Sequence, residues 1–435
     1  MTGKWNYLPL TQKEQLIETE LAKRFASVPP VSQLLVERGV TSVEEADRFL
    51  HPQLKNLHNP FLLPDMDKAV ERLNRAMGSK EKIMVYGDYD VDGTTAVALV
   101  YKYLQNFYSN IDYFIPTRYE EGYGISSETI DDFARQGVKL VIILDCGIKA
   151  NVEIAHAREH GIDFIICDHH VPDDELPQAV AILNPKMPGS TYPCPHLSGC
   201  GVGYKLMQAF SISNGIPQAD LEGMLDLVAV SIAADIVPMV DENRVMTFYG
   251  LRRLNSNPNM GLRAIIRICG LTGKEITISD VIFKIGPRIN ASGRMQSGRE
   301  AVDLLVSRDI TDAYQKARNI DQYNKDRKEL DRRITEEANA ILSQRIEAGS
   351  NKKSIVIFNK DWHKGIIGIV ASRLTELYYK PSVVLTLSNG LATGSSRSVQ
   401  GFDIYAAVDS TRDLLENFGG HTYACLLYTS DAADE

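Results

Sequence analysis

The sequence predicts an α/β protein of two units: a larger domain built on a parallel sheet, joined by a long helix to a smaller α/β domain. Three observations carry that reading. Short apolar runs alternate with helical stretches between residues 83 and 183. A charged helical pattern runs from Thr311 to Glu347 without a glycine or proline. A second set of strand-like runs then surrounds one helical stretch between residues 354 and 395.

Taken in order, residues 1–80 read as short helices broken by prolines, notably Pro29-Pro30, Pro52, Pro60 and Pro64. Ile83–Tyr86, Ile111–Ile115, Leu140–Leu144, Phe164–Cys167 and Val180–Leu183 are the strand candidates, separated by helical stretches near 94–108, 126–136 and 150–160. Buried strands alternating with helices imply a mainly parallel sheet. Residues 200–306 read as mostly helical. In the following charged segment Ala313, Ala317, Ile320, Leu330, Ile334, Ala338 and Ile341 recur at helical intervals without a sustained heptad, which predicts a connector rather than a coiled coil. Beyond it, Ser354–Phe358, Pro381–Leu387 and Leu391–Ser395 are strands around a helix Gly365–Leu377. The expected boundaries are an N-terminal helical segment 1–80, a parallel-sheet domain 81–306, a connecting helix 307–350 and a second α/β unit 351–424. Residues 425–435, Cys-Leu-Leu-Tyr-Thr-Ser-Asp-Ala-Ala-Asp-Glu, look like a translated sequencing-library adaptor and are set apart as a non-native tail.

Composition excludes several classes. At 435 residues with 44% hydrophobic and 24% charged, the chain is long enough for two or three packed domains. No apolar run approaches the ~20 residues a membrane helix needs, and the N-terminus lacks the basic-then-apolar order of a secretory signal. Six cysteines without a C-x-x-C pair oppose a zinc knuckle and a disulfide framework, so a cytoplasmic home is expected. A net charge of −9 does not mark a nucleic-acid binder by itself. Metal-site carboxylates and three acids in the set-apart tail account for part of it.

Chemistry concentrates at Gly87-Asp88-Tyr89-Asp90-Val91-Asp92-Gly93-Thr94-Thr95, directly after the first buried strand and before a helix. Three carboxylates in five residues repel one another if buried without a cation. A plain polar loop is the simpler reading. An EF-hand fails, because its twelfth position would be Leu99 and the preceding element is a strand. Asp145-Cys146-Gly147 ends the third strand and Asp168-His169-His170 the fourth. In open parallel sheets ligands gather at the carboxyl ends of strands, so the three clusters should converge on one crevice. Asp235 closes an otherwise apolar helix and is expected to join them, although an isolated Asp there would more often be a surface residue. Carboxylates with imidazole suit Mg²⁺ or Mn²⁺ rather than a thiolate-loving ion, and this many ligands make a two-ion centre for phosphoester or phosphoanhydride hydrolysis plausible.

The ordered set Gly-Asp-Tyr-Asp-x-Asp-Gly, Asp-Cys-Gly, Asp-His-His and Ala-Asp resembles that of the DHH phosphoesterases. The resemblance spans about residues 30–424. Leu34-Leu35 with Arg38-Gly39 and Phe49-Leu50, Glu121-Gly122-Tyr123-Gly124, and Gly286-Pro287-Arg288-Ile289-Asn290-Ala291-Ser292-Gly293-Arg294 are similar to the family's single-strand-specific DNA exonucleases. His363-Lys364-Gly365, Ser395-Ser396-Arg397-Ser398 and Gly419-Gly420-His421 resemble its DHHA1 domain. The resemblance implies Asp90, Asp92, Asp145, His169 and Asp235 as metal ligands, with Asp88 and His170 as supports or second-metal ligands. Asp168, His169 and His170 become the catalytic triplet, Asp168 as the residue that orients an imidazole, and two ions of Mn²⁺ or Mg²⁺ the cofactor.

On the substrate side, Arg288 and Arg294 flank Asn290 in a Gly/Ser-rich loop, and Arg397 lies among serines including Ser396. Lone surface arginines are usually solvated, but Arg beside Gly and Ser suits bidentate phosphate contacts. Arg118 is a weaker candidate, and His363 and His421 suit phosphate contact and a purely structural role in the second unit equally. The resemblance implies 5′→3′ degradation of single-stranded DNA to 5′-mononucleotides in recombination and repair. It also implies a monomer acting with a single-strand-binding protein and a RecQ-type helicase. Hydrolysis of nanoRNA, cyclic dinucleotides or pyrophosphate competes, as does a non-catalytic replication scaffold. The intact acidic set opposes the scaffold. Relatives of this branch run on after Gly-Gly-His into an oligonucleotide-binding barrel, so the natural protein is expected to continue.

Overall fold

The computed structural model describes residues 9–26, 29–117, 124–349, 352–388 and 390–429. Helices α1 (Gln12–Phe25), α2 (Pro29–Glu37) and α3 (Val43–Leu50) close a small core of their own around Leu21, Leu35, Val36 and Ala46. Helix α4 (Met66–Gly78) leads into the first sheet, which comprises β1 (Lys82–Gly87), β2 (Ile111–Phe114), β3 (Val138–Leu144), β4 (Asp163–Cys167) and β5 (Ala181–Leu183). Between them run α5 (Val91–Leu104), α6 (Ser127–Arg135) and α7 (Asn151–Glu159).

All five strands are parallel, in the order β2-β1-β3-β4-β5. Both faces are covered, which is why these strands read as unbroken apolar runs. Alternate residues divide between the faces: Ile83, Val85, Leu140, Ile142 and Ile165 join the core with α4 and α5, while Met84, Val141, Ile143, Phe164 and Ile166 pack with α6 and α7. The chain leaves β1 for one side of the sheet and returns to β3 on the other, so the switch point lies between β1 and β3. Gly87 is level with Leu144, and Leu144 with Cys167. The next residue of each strand is therefore Asp88, Asp145 or Asp168, and the three leave the sheet side by side.

A helical layer follows: α8 (Gly199–Ser213), α9 (Ala219–Glu222), α10 (Leu225–Asp235), α11 (Asp241–Ser256), α12 (Met260–Ile268), α13 (Ile278–Asp280), α14 (Gly286–Met295) and α15 (Gly298–Leu305). The segment expected as a Gly/Ser-rich loop around Asn290 is helix α14, entered through a π-helical turn at Val281–Ile285. Pro287 lies at the junction of the π-helical turn and α14, where the regular i to i−4 ladder is already interrupted.

Helix α16 (Ile310–Glu347) has 38 residues, roughly 57 Å at 1.5 Å per residue. Its first half buries Ala313, Ala317 and Ile320 in the large core, and its second buries Ile334, Ala338 and Leu342 in the small one. It is thus a structural member of both units. The small unit adds β6 (Ile355–Phe358), α17 (Lys364–Tyr378), β7 (Ser382–Ser388), β8 (Leu391–Arg397), α18 (Ile404–Asp409), β9 (Asn417–His421) and β10 (Ala424–Thr429), with sheet order β6-β7-β8-β10-β9. Only β6 and β7 are parallel. Residues 425–429, set apart above as foreign, are placed in β10 between β8 and β9, with Cys425 and Leu427 buried. Alternating Cys-x-Leu with β-branched and aromatic neighbours satisfies the strand pattern whatever its origin.

Candidate metal centre

The sharp turn after β1 depends on Gly93. A Cβ there would lie 2.3 Å from the Asp88 carbonyl oxygen, so only glycine lets α5 begin this close to the strand. Asp90 is the N-cap of α5 and accepts from Gly93 N at 3.0 Å, as short acidic side chains do at helix starts. Asn290 of α14 accepts from Val91 N at 3.2 Å and ties the same turn from outside.

Asp92, on the first turn of α5, is buried and accepts three bonds of 2.7 Å, from Gly199 N, Cys200 N and Ser231 Oγ. The first two donors are the open N-terminus of α8, whose partial positive charge favours a carboxylate. Gly199 also abuts Asp145, where a Cβ would be 2.7 Å from Oδ1. Asp145 follows β3 in the left-handed region, φ 61°, which a non-glycine residue rarely occupies.

His169 Nε2 lies 3.1 Å from Asp145 Oδ1, 3.7 Å from Asp235 Oδ2 and 3.8 Å from Asp92 Oδ2. Its Nδ1 is buried with no hydrogen-bond partner among the described residues. Burial holds this imidazole below its usual pKa and so favours the neutral, ligating form. Burial, then repulsion from Asp92, raises Asp90, and burial with the charges of Asp92, Asp90 and Asp88 raises Asp145 well above the carboxylate range. Burial, with the charges of Asp92 and Asp90, pushes Asp235 up to about 7. Three sets of donor atoms each converge within 4.8 Å: Asp88, Asp90 and Asp145; Asp92, His169 and Asp235; Asp145, His169 and His170. A buried, self-repelling group of hard oxygens with one or two imidazoles is what a divalent cation stabilises, and two adjoining sets that share no residue can hold two.

Asp168 is placed differently from the other acids. It accepts from the backbone N–H of His169 at 2.7 Å, His170 at 3.0 Å and Ile148 at 3.0 Å, and from His170 Nδ1 at 2.7 Å. Burial opposes its ionisation, but these bonds prevail and hold it at about 2. Burial likewise works against charge on His170, and the Asp168 partner overrides it to about 9. The imidazole that Asp168 orients is therefore that of His170, which stays half exposed.

The expected substrate residues separate. Arg288 is committed to Asp321 at 2.8 Å and to the Lys284 carbonyl at 2.8 Å, pinning α14 to α16. Ser396, also expected on the substrate side, is fully buried here and donates to the Cys425 carbonyl at 3.0 Å, holding β8 to β10. Arg294, His363 and Arg397 share one seam. Gly293 packs on the Tyr89 carbonyl, Gly365 on the Arg294 carbonyl, and Gly368 on Ser395 and Arg397. Arg294 Nη1 reaches the Gly365 carbonyl at 3.3 Å, His363 caps α17 by accepting from Gly365 N at 3.2 Å, and Arg397 donates to Ser395 Oγ at 3.1 Å. Burial lowers the His363 pKa. Arg118, residues 121–123 and the His421 side chain lie outside the described residues. The α8 N-terminus, Ser198 and Ser231 escaped the sequence reading, although Ser198-Gly199-Cys200-Gly201 carries an N-cap serine before a glycine-rich helix start.

Comparison with known proteins agrees with this architecture. The profile of the DHH family, N-terminal domain, matches residues 82–232 and that of the DHHA1 domain residues 351–434. The single-stranded-DNA-specific exonuclease RecJ of Bacillus subtilis is 39% identical over 93% of this chain, which spans 50% of that relative's length. RecJ of Escherichia coli is 34% identical over 93% of this chain and 73% of its own. The crystal structure of RecJ in complex with Mn²⁺ from Thermus thermophilus superposes with a TM-score of 0.82 at 28% identity, covering 96% of this chain and 59% of that one. Fold and site thus define a member of the DHH family with a DHHA1 unit. Within that class the chain belongs to the RecJ family of single-stranded-DNA-specific exonucleases.

Proposed function

We propose that the chain is the catalytic part of a metal-dependent 5′→3′ exonuclease that hydrolyses single-stranded DNA to 5′-mononucleotides in recombination and repair. The observation that carries this reading is the buried carboxylate and imidazole cluster at the switch point, bordered by the Arg294–His363–Arg397 seam. In this reading residues 81–306 form the hydrolytic domain, 307–350 the connector and 351–424 the second wall of the crevice.

Asp88, Asp90 and Asp145 would hold one ion and Asp92, His169 and Asp235 the other, with Mn²⁺ or Mg²⁺ matching the oxygen-rich set. Ions bound there supply charge neutralisation for a phosphodiester and acidify an attacking water. The protein's own groups do the rest. Asp92 locks the α8 N-terminus beneath the cluster, and Gly199 lets Asp145 approach it. His170, oriented by its hydrogen bond to Asp168, is the side chain that would meet a phosphate or leaving oxygen beside the cluster. Arg294 and Arg397 contact the strand backbone as it leaves the cluster. In this reading the protein works as a cytoplasmic monomer, with a single-strand-binding protein and a RecQ-type helicase as partners. Among the described residues no helix is long and apolar enough to cross a membrane.

The test is product analysis on single- and double-stranded oligonucleotides labelled at either end, with Mn²⁺, with Mg²⁺ and with chelator. Metal-dependent release of mononucleotides from the 5′ end of single strands is expected. Turnover confined to dinucleotides or pyrophosphate, or none at all, would overturn the proposal.

A further inference from the structure

A second convergence of ligand-type side chains lies on the helical layer that covers the other face of the large sheet. His156 and His160 stand four residues apart at the end of α7, a spacing that puts both on one side of a helix. Their rings meet edge to face with centroids 4.8 Å apart. Both direct Nε2 at one oxygen of α6: His156 Nε2 is 2.8 Å and His160 Nε2 is 3.3 Å from Asp131 Oδ1. The three donor atoms lie within 4.8 Å of one another.

We propose that Asp131, His156 and His160 form a binding site for a divalent transition-metal ion of the zinc class, separate from the carboxylate centre. Two imidazoles and one carboxylate are a borderline set that favours zinc-like ions over Mn²⁺ or Mg²⁺. Ligand atoms held ~2.0–2.1 Å from zinc sit roughly 2.9–3.4 Å apart at octahedral or tetrahedral angles. The two nitrogen–oxygen separations already fall near that range, so an ion can replace the shared protons with little side-chain movement. All three side chains are partly exposed, which leaves room for water to complete the shell.

Connectivity keeps this site away from the crevice. Helix α7 starts just after Asp145 at the carboxyl end of β3 and runs back to the start of β4, so His160 lies at the amino edge of the sheet. Nine residues of helix separate the two ends, about 13 Å. An ion there would staple α6 to α7 across Ile130, Phe133, Ile154 and Ala157, the residues that cover β3. Its effect is on the stability of the layer that supports Asp145, not on the reacting atoms.

Zn²⁺ binding to the full chain carrying Asp90→Ala and Asp145→Ala tests this, with the bound ion counted after equilibrium dialysis and the melting temperature recorded with and without Zn²⁺. Adding His156→Ala or His160→Gln should remove one equivalent of zinc and shrink the zinc-dependent rise in Tm. Asp131→Asn, which keeps both imidazoles and the fold, should weaken the same equivalent at least tenfold. With the carboxylate centre intact, His156→Ala should leave Mn²⁺-dependent hydrolysis within twofold of the parent. Equal zinc stoichiometry and an equal rise in Tm with and without the two histidines would overturn the proposal and reduce the cluster to a polar contact between helices.

Discussion

Gly199→Ala adds one methyl group where α8 meets two of the clustered carboxylates. The new Cβ would stand 2.6 Å from Asp145 Cβ and 2.7 Å from Asp145 Oδ1. Carbon atoms in contact sit ~3.5–4.0 Å apart, so about 1 Å must be found. Neither side gives easily. Asp145 is held by its N–H on the Cys167 carbonyl at 2.9 Å, and Gly199 by its N–H on Asp92 at 2.7 Å. Either Asp145 leaves its place in the cluster or the α8 N-terminus withdraws from Asp92. Overpacking of this kind costs about 1–3 kcal/mol of stability, and a misplacement near 1 Å at a reacting centre can cost about 100-fold in rate. The expected result is a kcat on single-stranded oligonucleotide reduced about 100-fold, weaker Mn²⁺ activation and a modest fall in Tm. Gly201→Ala is the control, two residues along the same helix, where a Cβ meets nothing nearer than 3.4 Å and alanine suits a helix better than glycine. Activity of Gly199→Ala within threefold of the parent, with unchanged Mn²⁺ dependence, would show that this contact does not position Asp145.

Asp90→Ala and Asp145→Ala should each reduce hydrolysis below roughly a tenth of the parent while oligonucleotide binding persists, measured by turnover and by fluorescence anisotropy. Asp168→Asn should cost ~10–100-fold, less than His169→Ala, because Asp168 acts through another side chain. Since that side chain is His170, combining Asp168→Asn with His170→Ala should add little beyond His170→Ala alone, and a fully multiplicative loss in the double-mutant cycle would refute the pairing. Lys205 and Glu242 form a fully buried ion pair at 2.8 Å, with Tyr192 OH donating to the same carboxylate at 2.5 Å. Lys205→Met should destabilise by about 3–5 kcal/mol in denaturant titration, because it leaves Glu242 buried without its cation; a change under 1 kcal/mol would mean that Tyr192 and the His58 N–H suffice.

What the sequence determined by itself is what neighbours in the chain dictate. Unbroken Val/Ile/Leu runs specify strands covered on both faces, and uninterrupted helical periodicity from Thr311 specifies one long helix. The order strand, Asp-x-Asp-x-Asp-Gly, helix places carboxylates at a strand end, and the same logic at Asp145 and Asp168 brings three clusters to one edge. Tertiary structure decided which of these residues meet. Asp92 finds its donors 107 and 108 positions away at the start of α8, and no local signal links the two. Asp168 turns to His170 rather than His169 because its carboxylate also closes the loop on Ile148 N. Arg288 is an unremarkable arginine until α16 brings Asp321 beside it, and Ser396 an exposed strand serine until β10 covers it. Periodicity and capping act over one or two turns of chain, whereas a side chain's partner depends on packing that brings distant segments within hydrogen-bonding range.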